Sequence, residues 1–349
     1  MIFFNGGTAV GTIVSSGGVM NVENSGASSN TTVLSGGREL IYALPNQGSG
    51  GVATDETVFS GGTEVVSVGG VASETTVSQG GAIRISSGGL AVGTHVQSGG
   101  LDTIFRNGRA SGTVIAGAIE YDFGSTFGTV VRAGGHEPVE GGATASGSLI
   151  SSGGHEGVAS GGFAVAATVY NGGAFVISSG GIVSSGLTIH AGSATIDGTM
   201  AAGQTVSFAG TAGDLTLDNL SAFGAAISGF GGASEKIDLG GFASGASETA
   251  KWSQTGTSGT LTVHDGAKIA SLTLIGTYAT GDFQLSTDGH GGTLIKDPTA
   301  PAAVPATRFT QALGGMEGGR FAASAAAVHD GESALIGASP LVGVATSGR

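Results

Sequence analysis

Five acidic residues stand at equivalent places along the first half of the chain: Glu39, Glu64, Asp102, Glu137 and Glu156. Each lies two residues before a Val or Ile, and Ile83 and Phe175 interrupt the row. If these positions stack, successive carboxylates stand about 5 Å apart, where like charges repel unless they are solvated, protonated or bridged by a cation. The row is therefore expected on a solvated corner of the molecule, where it either limits aggregation or binds a cation or partner. Gly-Gly-His-Glu occurs twice, at His136-Glu137 and His155-Glu156. Two His and two Glu on adjacent repeats suggest a divalent metal, but no tetrahedral spacing motif accompanies them, so no metal ligands are assigned. A third group is Glu120 and Asp122, with Arg106, Arg109 and Arg132 nearby. Paired carboxylates with Arg suit acid/base work on a sugar ring. Here they are expected to form a structural ion cluster, and no catalytic residue is assigned.

What positions these residues is a repeat. Gly pairs recur every nineteen residues, at Gly61-Gly62, Gly80-Gly81 and Gly99-Gly100, and again at Gly134-Gly135, Gly153-Gly154 and Gly172-Gly173. Nineteen residues leave no room for two helices and a loop. The segments between glycines are rich in Val, Ile, Thr and Ser, which suit pleated backbone. Gly-Gly turns the chain through positive φ without a Cβ penalty. A fixed period of this length means stacked repeats that cannot bury an apolar side alone. Three inward columns follow: Val58, Val77, Val96, Val114, Val130 and Val169; then Val22, Ile41, Val66, Ile85, Ile104, Val139, Val158 and Ile177; then Ala53, Ala72, Ala91, Ala110 and Ala164. The expected fold is all-β, a three-sided parallel β-solenoid of 19-residue coils, about 4.8 Å apart.

The motif T-x-V-x-S-G-G-x-x-x-V-x-x-G-G-x-A matches at Thr32 to Ala53, Thr57 to Ala72, Thr76 to Ala91 and Thr168 to Val183. It resembles the repeat of the AIDA-type autotransporter adhesins, the group that includes antigen 43-like passengers. The resemblance spans roughly residues 5–195. It implies a right-handed parallel β-helix displayed outside the cell, with self-association or cell adhesion as its function. It also implies heptose on repeat Ser and Thr, as some members carry. The family's outer-membrane β-barrel and N-terminal signal have no counterpart in this sequence: Met1-Ile2-Phe3-Phe4 runs directly into Asn5-Gly6-Gly7, without a basic n-region.

Composition narrows the functions further. The chain has 70 Gly, no Cys and a net charge of −13, with no Lys before Lys236. The strict period argues against the disorder that such glycine content otherwise signals. An acidic chain lacks the basic stripe that nucleic acids require, and no run is long enough for a transmembrane helix. The Gly-rich segments lack Gly-Lys-Ser/Thr, so they are not phosphate loops, and no cofactor is expected. Residues 5–198 are read as the repeat solenoid and 199–297 as an irregular β cap. That cap includes a turn at Asp265-Gly266 and a segment, 229–239, without calcium-loop spacing. Residues 298–349 are read as a Pro/Ala/Gly-rich linker and flexible tail. The expected function is a non-catalytic surface or secreted bacterial adhesin or scaffold. It would bind itself or a surface polymer along its flank, with the acidic row as the partner-binding residues. The alternatives are a polysaccharide lyase or hydrolase, and a passive spacer.

Overall fold

The computed structural model describes residues 2–296 except 47, 48, 244, 246 and 247; the expected linker and tail, 298–349, lie outside the described residues. Each coil contributes three short strands, such as Thr57–Val58, Thr63–Val66 and Val71–Ser73. All three pair in parallel with the next coil at a nineteen-residue offset: Thr57↔Thr76, Thr63↔Ala82 and Val71↔Leu90. The long strand of each coil enters one sheet and the two shorter ones enter a second. The expected all-β parallel solenoid is present.

Where a corner carries two glycines, they serve different ends. Gly61 has φ +75°, in the left-handed region where a Cβ is strained. Gly62 lies against the coil before it, and a Cβ there would stand 2.5 Å from the Val33 carbonyl oxygen. One glycine turns the chain and the other lets coils approach to ladder distance.

Departures from nineteen show directly in the register. Glu39 pairs with Glu64 at an offset of 25, which absorbs the insertion after Ala43. Asp102 pairs with Glu120 at 18, and Ile119 with His136 at 17. The Ile and Ala columns are buried as expected. In the remaining column the inward residues of the two short coils are Ile115 and Val131, each fully buried, with Val114 and Val130 only half-buried. Ile115 pairs with Val96 and Val131 with Ile150, each at nineteen residues, so the inward register is kept and the expected alignment on Val114 and Val130 is one residue off.

Parallel stacking does not stop at 198. Ala194 pairs with Leu215 and Leu215 with Ile237, so coils of 21 and 22 residues carry the ladder through Ser234–Leu239. Antiparallel structure then ends both sheets. Thr249–Thr255, Ser258–Asp265 and Lys268–Ile275 form a meander through the Asp265-Gly266 turn, and its last strand pairs with Ala226–Ser228. A hairpin of Gln284–Thr287 and Thr293–Lys296 lies antiparallel on residues 236–239. Trp252, Tyr278 and Phe283 pack ring on ring beneath the meander, with centroids 5.2 to 5.6 Å apart.

Candidate functional site

The acidic row lies inside the solenoid. Glu39, Glu64, Asp102, Glu137 and Glu156 all have no exposed surface, and Ile83 and Phe175 fill the same column where the acids are missing. The expected solvated corner is wrong, and the reason is elementary. Successive side chains on a strand alternate faces, so residues two apart share one. Glu64 stands two residues before the inward Val66 and therefore points inward with it. The row is thus removed from the flank on which a partner would bind.

A second polar column faces it, which sequence reasoning missed. Thr31, Thr75, Thr94, Thr113, Thr129 and Ser148 are all buried, and each precedes an inward Val or Ile by two residues. Glu56 occupies the same column and accepts a hydrogen bond from the Thr31 N–H. Ser28 and Thr126 add hydroxyls from the Ala column. The same two-residue rule, applied to the residue before each Thr-Val pair, reveals this column.

Hydroxyls meet carboxyls across the interior. Ser28 Oγ donates to Glu39 at 2.9 Å and Thr75 Oγ1 to Glu64 at 3.2 Å. Thr126 Oγ1 lies 3.1 Å from Asp122 and 3.3 Å from Glu137, and Ser148 Oγ is 3.4 Å from Glu137. These donors are too few. Glu39, Glu64 and Glu137 each keep one unpartnered oxygen, and neither oxygen of Asp102, Glu120 or Glu156 completes a hydrogen bond. Burial consequently pushes these carboxyls above their ordinary range. Glu39 rises to about 8, chiefly by desolvation, with the Glu56 charge adding and the Ser28 hydroxyl opposing. Asp102 rises to about 8 for the same first reason, opposed by the Thr103 backbone. Glu64 is raised by burial and then by the charges of Glu39 and Glu56.

The densest point of the spine is the shortened coil. Ile119–Asp122 carries two inward acids, because Asp122 occupies the column filled by Ile104 before it and Val139 after it. Glu120, Asp122 and Glu137 are fully buried and offer oxygens all within 4.8 Å of one another. Burial raises both Glu120 and Asp122, and neighbouring carboxyl charges raise them further. The expected ion cluster with Arg does not form. Arg106, Arg109 and Arg132 are exposed, and the ion pair found among the described residues is Lys236 with Asp214, at 3.6 Å on the surface. Nor do the two His-Glu pairs converge. His136 and His155 lie outside with their rings tilted by 43° and centroids 5.6 Å apart, whereas Glu137 and Glu156 point inward.

The outer surface is repetitive. At one corner Ser16, Ser35, Ser60, Ser98 and Ser152 are exposed, each just before the turning residues. Phe105 and Phe123 stack on the outside with centroids 6.4 Å apart, and Phe127 is 65% exposed. Glu235 is buried outside the row, and its carboxylate accepts the Gly231 and Gly232 N–H groups at 2.7 Å within segment 229–239.

No protein-family model matches the chain, and no curated protein does. Among solved structures, the chain is similar to the crystal structure of a TibC-catalysed, hyper-glycosylated TibA fragment. Identity is 29%, the TM-score is 0.48, and the match covers 67% of this chain and 86% of that one.

Proposed function

We propose that this chain is a non-catalytic adhesive rod of the bacterial surface or exterior, binding a second copy of itself or a surface polymer along its flank. The observation that supports this most is where the carboxyls are. A glycan-cleaving β-helix needs a pair of acids that reach a sugar ring in a groove. Here Glu120 and Asp122 are sealed between coils, and the Arg residues that would accompany them point the other way. What the flank offers instead is a periodic pattern of short hydroxyl side chains and a few exposed rings. Each coil then contributes weakly, and binding must add over several coils.

The burial of the acidic row changes how such association depends on ions. Glu39, Glu64, Glu137 and Glu156 cannot repel a facing rod, so neutralising them acts on folding and leaves the contact surface unaltered. The stacked Phe105 and Phe123 are the better candidates for contact, since exposed aromatic surface favours association. The exposed serines at one corner offer acceptors for the heptose that the repeat resemblance implies. Sedimentation of the purified chain over a concentration series tests the reading. The double substitution Phe105→Ser and Phe123→Ser should lower association while the melting temperature stays within a few degrees. A monomer at every concentration, with no binding to cells or polymer, would leave the spacer reading standing.

A further inference from the structure

We propose that Glu120, Asp122 and Glu137, with the hydroxyl of Thr126, form an internal site for a hard divalent cation of the calcium class, enclosed as the shortened coil closes. This goes beyond the adhesive reading and does not depend on it. Three observations carry it. First, the three carboxyls have no exposed surface, yet their oxygens lie within 4.8 Å of one another. Carboxylates so placed need either protons or a counter-charge. No side-chain cation supplies one, because the neighbouring Arg106, Arg109 and Arg132 face solvent.

Second, both oxygens of Glu120, one of Asp122 and one of Glu137 complete no hydrogen bond of ordinary geometry, although the Thr113 and Thr129 hydroxyls lie near Glu120 and the Asp122 and Glu137 carboxyls lie near each other. Buried polar atoms are normally satisfied, so orphaned oxygens gathered in one cluster call for a ligand. Third, the donor set is oxygen only. Thr126 Oγ1 touches Asp122 and Glu137, and the hydroxyls of Thr113 and Thr129 stand in the column opposite Glu120, close enough to lower its affinity for a proton. Carboxylate and hydroxyl oxygens without nitrogen or sulfur select hard cations over zinc or copper. The arrangement is specific to this coil. In the coils on either side the column of Asp122 holds Ile104 and Val139, so each has one inward acid where this one has two.

A sealed site fills during folding, so the test begins from the unfolded chain. The full chain is stripped with chelator in guanidinium and refolded near neutral pH with or without calcium, and in parallel with terbium. Wild type refolded with calcium should melt at a higher temperature than wild type refolded without, and should retain the metal through desalting. Terbium should show emission sensitised by Tyr121, which lies between Glu120 and Asp122 in sequence. Asp122→Val installs the residue type of the neighbouring coils, so it is expected to fold, and it should lose both the calcium-dependent shift and the emission. Glu39→Gln, four coils before Glu120 in the ladder, should keep both. Retention of the full response in Asp122→Val would overturn the proposal. So would a wild-type chain that retains no calcium and melts identically with and without it, since protons alone would then neutralise the cluster.

Discussion

Glu39 meets the Ser28 hydroxyl on one carboxyl oxygen and no partner on the other, while Glu56 and Glu64 approach it through the same interior. Folding therefore raises this carboxyl from 4.5 to about 8. The folded chain keeps a proton that the unfolded chain releases above about 4.5, so this part of the stability is full below that pH. It drains as pH rises toward about 8. In chelator, the wild-type melting temperature should fall across that window, and Glu39→Gln, which has no proton to lose, should fall less. Near pH 8 the variant should be the more stable by on the order of a few kcal/mol, since each tenfold change in proton affinity is worth about 1.4 kcal/mol. Parallel pH profiles for the two proteins would refute the neutral-carboxyl account. The apolar columns respond in the ordinary way. Ile85 is fully buried, and Ile85→Ala should cost about 2–5 kcal/mol in denaturant unfolding through lost burial and the cavity left behind.

At the scale of the coil, the two corner glycines differ in what they tolerate. Gly62→Ala places a methyl 2.5 Å from the Val33 carbonyl oxygen, and backbone cannot yield there without separating two coils. Its cost should exceed the roughly 1 kcal/mol separating Gly from Ala by propensity alone, and in the unfavourable direction. At the first position the constraint is φ together with a side chain that can move aside, since a Cβ at Gly61 would stand 2.6 Å from the Ser35 hydroxyl. Asn107, with φ +62°, already replaces glycine at one corner. Comparing the unfolding midpoints of Gly62→Ala and Asn107→Gly checks the distinction. The first should be strongly destabilised and the second nearly neutral.

For the molecule as a whole, the antiparallel meander and hairpin cover the final coil on both sheets. An uncovered coil presents unpaired N–H and C=O groups that recruit another chain. A chain cut after Phe242 should therefore form larger species in sedimentation than one cut after Lys296, and substitutions at Phe105 and Phe123 should not reverse them. Equal distributions for the two truncations would show that the meander does not protect the end.

The repeat by itself determined the strand content, the parallel stacking and the Ile and Ala columns, because coils must share a register and glycine corners are local necessities. It also determined the direction of Glu64, through its two-residue spacing from Val66. The usual cost of burying a charge argued the other way, and it lost because each carboxyl is held among many packed neighbours and can remain neutral. Three features were settled only in three dimensions. The convergence of Glu120, Asp122 and Glu137 depends on coils shortened by one and two residues, which slide Asp122 into an apolar column. The inward roles of Ile115 and Val131 follow from their pairing with Val96 and Ile150. Continuation of the ladder past residue 198 depends on coils of 21 and 22 residues whose corners no longer repeat paired glycines at a nineteen-residue period. In each case the deciding quantity is the offset between neighbouring coils. The sequence marks where the period changes, as between Thr113 and Thr129, but only backbone pairing fixes the offset of each strand.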